Sequence, residues 1–450
     1  MMTLHRVAFA TTLSTPFMNN NDPVRLVTLA PGHFHAALVQ QEPLPGVDPH
    51  VHVYSPLDAD LIAHLERISR FNTRADSPTR WTLDVHAGSD WFERFQTEKP
   101  GNVVIISGRN RPKIDLILAA VSAGYCVLAD KPWIVEASDF SKLERVFAES
   151  TKQEVFARDI MTERWEGTSL LQRELMNDAE IFGDPVPGTP EEPALQIESL
   201  HYLCKKVAGV PLKRPVWWYD PGIAGEGVAD VGTHLADLAM WMMFPDQAID
   251  YRHDIAILEA TRWPTHLDRT SFLESTGMAD FPEELARLHD GKSLQYWGNG
   301  SVNYRLRDRF VRLTTRWDVR DTGTEGDTHL SIAHGSSSRV MVRHDSQFGP
   351  GPQVLVVPNR ERDHAEVFKR IASVCSKDQG YTPVDLGSRI HIQLPISART
   401  GHEAHFASVL GEFVDSFQDR SRVPRWECPN MLAKYFVTTE AVRIAKLQAP

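Results

Sequence analysis

Short apolar runs alternate with helical stripes along the first third of the chain. Val24–Ala30 (VRLVTLA) reads as a buried strand, Gly32 follows it, and His33–Gln41 reads as a helix. Val51–Ser55 is a second strand. Val103–Ser107 is another, after the turn signal Lys99-Pro100-Gly101. The next helix is marked by Asn110 as a cap, Pro112 in its first turn, an apolar stripe of Ile114, Ile117, Leu118 and Val121, and Gly124 at its end. Cys126–Ala129 closes a β-α-β unit. Ser138 is positioned to cap a helix whose face carries Phe140, Leu143, Val146 and Phe147. Strands and helices alternating at these lengths predict a parallel sheet.

The pattern then changes. Pro and Gly are dense between Gly183 and Pro221, and Gly227–Met243 reads as one helix. Alternating segments follow at Val302–Leu306, Phe310–Asp318, Thr328–Ala333, Arg339–Val342 and Val354–Val357, which predicts an antiparallel sheet. Helices are predicted over Ala404–Gln418 and Met431–Lys446, with no internal repeat and no low-complexity tract. The expected fold class is α/β: an N-terminal parallel-sheet domain plus an α+β domain with an open, mainly antiparallel sheet. The expected divisions are a disordered extension at 1–22, a first domain at 23–160, a second at 161–385 and a C-terminal helical extension at 386–450 packing on the body.

A chain of 450 residues is too long for one ordinary core. Its 48 basic against 59 acidic residues, net −11, argue against a nucleic-acid or anionic-membrane partner. Cys126, Cys204, Cys375 and Cys428 form no CxxC pair, which argues against a disulfide framework or a cysteine zinc site and fits a reducing, cytoplasmic setting. No apolar run approaches the roughly 20 residues that span a bilayer. The stretch Val7–Leu13 is broken by threonines and makes a poor signal peptide.

The strand–Gly–helix at Leu26–Leu38 is where a dinucleotide fold holds a pyrophosphate, with a glycine for close backbone approach and amides aimed at the charge. Of the G-x-G-x-x-G pattern only the middle glycine, Gly32, is present; Ala30 and His35 occupy the outer positions. His33 and Phe34 open the helix, and Ser55 lies at the tip of the second strand. The segment Tyr54-Ser55-Pro56-Leu57-Asp58 has no acid at the strand tip for a ribose, where Asp58 is the available substitute, and no Arg or Lys for a 2′-phosphate, so NAD or NADP is open, with NAD slightly favoured.

Ala129-Asp130-Lys131-Pro132, at the end of a strand, resembles the E-K-P motif of the Gfo/Idh/MocA oxidoreductases, the family of glucose–fructose oxidoreductase and inositol dehydrogenase. About a hundred residues later, the segment from Gly227 through Asp230, Gly232 and His234 to Asp237 resembles the family's D-x-G-x-H-x-x-D signature. The resemblance covers about Arg25–Val357. The last ninety residues look like the extension of a less characterised branch that shares the APGHFHAAL and TERWE-like stretches. It implies a Rossmann domain followed by a domain whose open sheet covers the active site and often mediates homo-oligomers, and hydride transfer between NAD(P) and a sugar or polyol carbon. Gly32, His33, Phe34, Ser55, Ser107, Asn110, Asp130 and Lys131 are then the expected cofactor contacts. The chain departs from the family in its first motif, in Asp130 for Glu, and in the loop Gly108-Arg109-Asn110-Arg111-Pro112-Lys113, where Asn110 matches the usual T-P-N-x-x-H and Lys113 stands at the His position.

Alcohol oxidation needs a base for the hydroxyl proton and a fixed place for the carbon. Lys131 lies at the carboxyl end of a parallel strand, where open α/β sheets bind ligands. It can act as a base if its pKa is depressed, or polarise the substrate oxygen if it stays charged. Asp230, His234 and Asp237 fall at i, i+4 and i+7 on one helix face. Lys131 and His234 are the expected acid–base pair, with Asp230 as their catalytic partner and Asp237 orienting His234 or satisfying backbone at the domain junction. Glu163, Arg164 and His201 are candidate substrate contacts, with Asp230 and His234. Trp217-Trp218-Tyr219 reads as core or interface, and His402 and His405 as a helix start. The lysine motif argues against a metal on the Asp230/His234 face, so none is expected. Two other readings stand beside the dehydrogenase: an NAD-dependent glycoside hydrolase or lyase working through a transient 3-keto sugar, and a non-catalytic sugar-responsive binding protein.

Overall fold

A computed structural model describes residues 22–448 except 208–209, 322–325, 345, 349–350, 377–379 and 400–401. All but the last residue of the expected extension at 1–22 lies outside the described residues.

The first part is built from β1 (Leu26–Leu29), α1 (His35–Leu38), β2 (His50–Ser55), α2 (Ala59–Thr73), β3 (Thr82–Ala87), α3 (Trp91–Glu98), β4 (Val103–Ile106), α4 (Asn110–Ser122), β5 (Cys126–Ala129), α5 (Phe140–Lys152) and β6 (Ala157–Asp159). The six strands form one parallel sheet in the order β3-β2-β1-β4-β5-β6. β1, β4 and β5 are wholly buried and apolar apart from Thr28 of β1, as befits strands covered on both faces. Strand order reverses between β1 and β4, which opens a crevice at their carboxyl ends. β3 is one of the two edge strands, and its sequence TLDVHA is only partly buried; this polar edge gives little hydrophobic signal.

Three expectations here are corrected. Ser138 does not cap α5: it lies inside the short turn Ala137–Asp139, and Asp139 holds the N-cap position. The helix expected over His33–Gln41 is a single turn, α1. Asn110 does not cap α4: Arg109 holds the N-cap position and Asn110 is the first helical residue, its amide used elsewhere.

The second part adds α6 (Gly167–Met176), β7 (Leu195–Cys204), a hairpin β8/β9 (Lys206–Val207, Val210–Pro211), α7 (Pro221–Ala224), α8 (Gly227–Met243), β10 (Ile255–Asp268), α9 (Arg269–Thr276), β11 (Ser293–Leu306), β12 (Arg309–Arg320), β13 (Thr328–His334), β14 (Ser338–His344), β15 (Pro352–Pro358), α10 (His364–Cys375), β16 (Thr382–Asp385) and β17 (Ile390–Gln393). Nine strands form a sheet in the order β10-β11-β12-β7-β13-β14-β15-β17-β16, antiparallel except for the β7–β12 pair. The predicted antiparallel sheet is therefore present, with β7, β10, β16 and β17 as additional members. The expected boundary at 385 falls between β16 and β17, which pair within this sheet.

α8 runs along the sheet and packs against it through Val228, Leu235, Leu238 and Met242. Its first turn is pressed onto the sheet backbone: a Cβ on Gly227 would sit 1.7 Å from the Gly298 carbonyl oxygen. Only glycine permits that approach, and it fixes where Asp230 and His234 start from.

The tail forms α11 (His402–Gln418) and α12 (Glu427–Gln448). Phe406, Leu410, Phe413 and Phe417 of α11 share a core with Leu26, Ile105 and Leu128 of the parallel sheet. α12 serves both parts: Met431 and Tyr435 join the core on the other face of the parallel sheet, and Ala433, Val437 and Ala441 join the core under α8. No helix among the described residues is long and apolar enough to cross a membrane.

Candidate active site

The carboxyl ends of β1, β4 and β5 bring three loops together. Gly32 and His33 donate their backbone N–H groups to the Ser107 carbonyl, at 3.0 and 3.1 Å. A Cβ on Gly108 would lie 2.4 Å from the Ala30 carbonyl oxygen, so the loops after β1 and β4 interlock. Asp130, at the end of β5, is buried beneath them. Its Oδ2 lies 3.0 Å from His35 Nδ1 and 3.2 Å from His33 Nδ1, and accepts the Ser107 hydroxyl at 3.1 Å. Burial pushes the Asp130 carboxyl upward, but His35 and Lys113 outweigh it and hold the group well below the usual carboxylate range.

Lys113 is fully buried. Its ammonium donates to Asn110 Oδ1 at 2.6 Å and to the Asp130 backbone carbonyl at 3.0 Å. Burial pulls its pKa down to about 8. Asn110 in turn donates to the Ala224 carbonyl at 2.6 Å. The Asn110 amide thus ties α4 to α7 across the two parts of the chain and holds Lys113, rather than facing outward to a cofactor.

Lys131, next to Asp130, reaches across to α8. Its Nζ donates to Asp230 Oδ1 at 2.6 Å, with side-chain exposures of 10% and 18%, so the pair is shielded yet reachable. Burial lowers the lysine pKa, but Asp230 and Asp130 outweigh it, with Glu163 adding to them, and the net shift is upward. Lys131 is therefore an ammonium, and the depressed lysine that a free base would need is not what the site holds. His234 lies one turn further along α8 on the same face as Asp230. Glu163 sits on the turn Thr162–Trp165, which brings its charge within range of Lys131.

Arg164 and His201, expected to meet substrate, are engaged elsewhere. Arg164 makes two bonds of 2.6 Å to Asp237 and two of 3.1 Å to Glu427, and lies over the Trp426 ring at 5.0 Å. Asp237 also accepts Lys434 at 2.7 Å, and Lys434 reaches Asp159 at 3.0 Å, which accepts Tyr435 at 2.9 Å. This chain of buried charges locks β6, α8 and α12 together. Burial raises the Asp237 carboxyl, but Arg164 and Lys434 more than offset it and hold it far below its ordinary value. Asp237 therefore serves the junction. His201 has Nδ1 2.8 Å from Asp327 and Nε2 2.8 Å from Ser199, with its ring stacked on Trp317 at 4.7 Å; the sheet holds it.

A cavity of about 180 Å³ opens at the strand-order reversal, lined by Ala30, Gly32, Ser55, Asp58, Asp60, Gly108 and Arg109 among others. Asp60 and Arg109 also line a neighbouring cavity of about 340 Å³ that Trp217 borders from the second part of the chain. Trp217, Trp218 and Tyr219 are buried with Phe272, Tyr296 and Trp317, as core residues. Phe34 packs beside the His33 and His35 rings. The sequence reading missed Arg109, the cation lining the smaller cavity, because it looked for that charge only after β2. It also missed Lys434, whose signal is a lysine on the apolar face of α12.

A family model described as "Putative oxidoreductase C terminal domain" matches residues 171–446. Among solved structures, a putative oxidoreductase from Parabacteroides merdae is 38% identical, with a TM-score of 0.92 over 96% of this chain and 100% of that one. A levoglucosan dehydrogenase in complex with NADH and levoglucosan is 12% identical, TM-score 0.59, over 94% and 98% of the two chains. A 3-ketoreductase from Actinomadura kijaniata in complex with NADP and TDP-benzene is 14% identical, TM-score 0.54, over 94% and 97%. These two share the fold. No curated protein matches the chain. On the match over 171–446 and the likeness to the Parabacteroides protein, the chain belongs to the oxidoreductase family defined by this C-terminal domain.

Proposed function

We propose that the chain transfers a hydride between a nicotinamide cofactor, NAD or NADP, and a hydroxyl-bearing carbon of a sugar, glycoside or polyol. The observation that carries this reading is the Lys131–Asp230 pair, joined at 2.6 Å from two parts of the chain beside a Rossmann-type crevice. The residues at the crevice fit a dinucleotide. The cavity lies where doubly wound sheets bind such ligands, and Gly32 is pressed close: a Cβ there would sit 3.2 Å from Asp60 Oδ2 and 3.3 Å from Gly108 Cα. Gly32, Ser55, Gly108 and Arg109 would hold the nucleotide. Arg109, which pairs with Asp60 at 3.2 Å, supplies the positive charge, since the Gly32 and His33 amides are already bonded to Ser107. When bound, the nicotinamide supplies the hydride acceptor or donor.

The chain's own residues handle the proton. Lys131, charged and held by Asp230, donates a hydrogen bond to the substrate oxygen and stabilises negative charge there. In carbonyl reduction it gives its proton to that oxygen. In alcohol oxidation the same nitrogen, once neutral, takes the proton back, and His234 passes it onward. Asp230 raises the lysine pKa, so oxidation gains with rising pH. Replacing Asp230 by Asn removes that carboxylate and lowers the lysine pKa. The midpoint of the pH–kcat profile for oxidation is therefore expected to move to lower pH in Asp230→Asn, alongside a loss of rate. An unmoved midpoint would contradict the assignment of the titrating group to Lys131.

The reading is tested by incubating the protein with NAD+ or NADP+ and a panel of sugars, glycosides and polyols while following nicotinamide absorbance. Net reduction of the cofactor with one substrate class supports the dehydrogenase. Cleavage of a glycoside without net reduction favours the hydrolase or lyase, and ligand binding with neither favours the binding protein.

A further inference from the structure

We propose that His33, His35 and Asp130 form a binding site for one divalent transition-metal ion, zinc by the chemistry of its ligands. This inference stands apart from the proposed function. The sequence pattern argues against a metal only on the Asp230/His234 face, and these three residues come from two other loops. The ligand atoms His33 Nδ1, His35 Nδ1 and Asp130 Oδ2 all lie within 4.8 Å of one another. The two imidazole nitrogens are 3.2 and 3.0 Å from the one carboxylate oxygen. Donors around a tetrahedral zinc, each roughly 2.0–2.1 Å from the metal, stand about 3.3 Å apart. His33 Nδ1 is the second observation: it is buried and forms no hydrogen bond among the described residues, despite lying 3.2 Å from Asp130 Oδ2. A nitrogen close to a carboxylate oxygen but misaligned for hydrogen bonding is suited to share a metal with it.

The surroundings are those of a ligand set. The Ser107 hydroxyl donates to Asp130 Oδ2 at 3.1 Å, and the Phe406 ring packs against His35 at 4.7 Å; such contacts orient metal ligands. The Lys113 ammonium reaches the Asp130 backbone carbonyl at 3.0 Å, which leaves the carboxylate to the imidazoles and Ser107. Two imidazoles and one carboxylate suit zinc, cobalt or iron rather than magnesium or calcium, and leave a fourth position open. The His33 side chain keeps 22% exposure against 5% for Asp130, so solvent or an oxygen ligand enters from the His33 side.

The full-length protein, stripped with a chelator and titrated with Co²⁺, tests this. One Co²⁺ per chain with the visible ligand-field bands of a four-coordinate site, displaced by Zn²⁺, is expected. His33→Ala should abolish the bands. Ser107→Ala, which keeps all three ligands, should weaken Co²⁺ affinity about 10–100-fold. His52→Ala alters the exposed group His50, His52 and Asp84 and should leave the bands intact. Absence of the bands in the wild type, their survival in His33→Ala, or their loss in His52→Ala alone would overturn the proposal. Should His33→Ala fail to fold, an undiminished affinity in Ser107→Ala would overturn it as well. Nicotinamide turnover plays no part in the readout, so the metal site and the proposed activity can fail separately.

Discussion

Lys131→Met is expected to lower kcat by about 10²–10⁴-fold, the usual contribution of a positioned proton-transfer group, while the protein stays folded. The substitution removes the ammonium that meets the substrate oxygen and leaves a side chain of similar length. Asp230, its partner, keeps 18% side-chain exposure and can be resolvated, so the stability loss should be no more than about 1–3 kcal/mol. Lys131→Arg separates two roles. A guanidinium keeps the positive charge but does not give up a proton near neutral pH. If Lys131 only neutralised charge, Arg would restore most of the rate; because the account has it transfer the proton, Arg should remain close to Met. Steady-state kinetics with melting temperatures for the three proteins decide the matter.

Lys434→Met is expected to cost about 3–5 kcal/mol of stability at neutral pH, the usual effect of removing one member of a buried ion network. Lys434 is fully buried, 2.7 Å from Asp237 and 3.0 Å from Asp159. Without it Asp159 loses its cation and still faces Asp237. Burial already raises the Asp159 carboxyl despite Lys434, and the substitution raises it further. A carboxyl whose folded pKa lies above its unfolded value costs stability when ionised. The deficit is therefore full above the folded pKa and shrinks as pH falls through it. Denaturant unfolding at neutral and acid pH measures both the loss and its sign. Lys152→Met, at an exposed pair with 70% lysine exposure, should change stability by no more than about 1 kcal/mol.

Elements with strong periodicity were legible in the sequence: β5 and α8 fall at the predicted residues, because one is a buried apolar run and the other a long apolar helix with no break. β3 and α2 were not, since edge strands and solvent-facing helices carry mixed polarity that leaves a weak stripe. At the site, the resemblance gave Lys131 and Asp230, and the structure joins them. Its position after the first domain also suggested Arg164 for substrate, where the structure shows an interior cation. An arginine's role depends on which carboxylates lie opposite, and Asp237 and Glu427 are 73 and 263 residues away along the chain. Lys434 left only the signal of a lysine on an apolar helix face, and its role was hidden for the same reason: its partners belong to β6 and α8. Asn110 matched a motif letter, yet its amide is spent on Ala224, a contact set by how the two parts of the chain dock.

A crystal structure of the protein with NAD+ or NADP+ bound tests the central claim most directly. The account predicts the nucleotide in the crevice between the loops after β1, β2 and β4, with the nicotinamide end directed to Lys131 and Asp230. A dinucleotide lying elsewhere, or a crevice that stays closed to it at saturating concentration, would contradict the account.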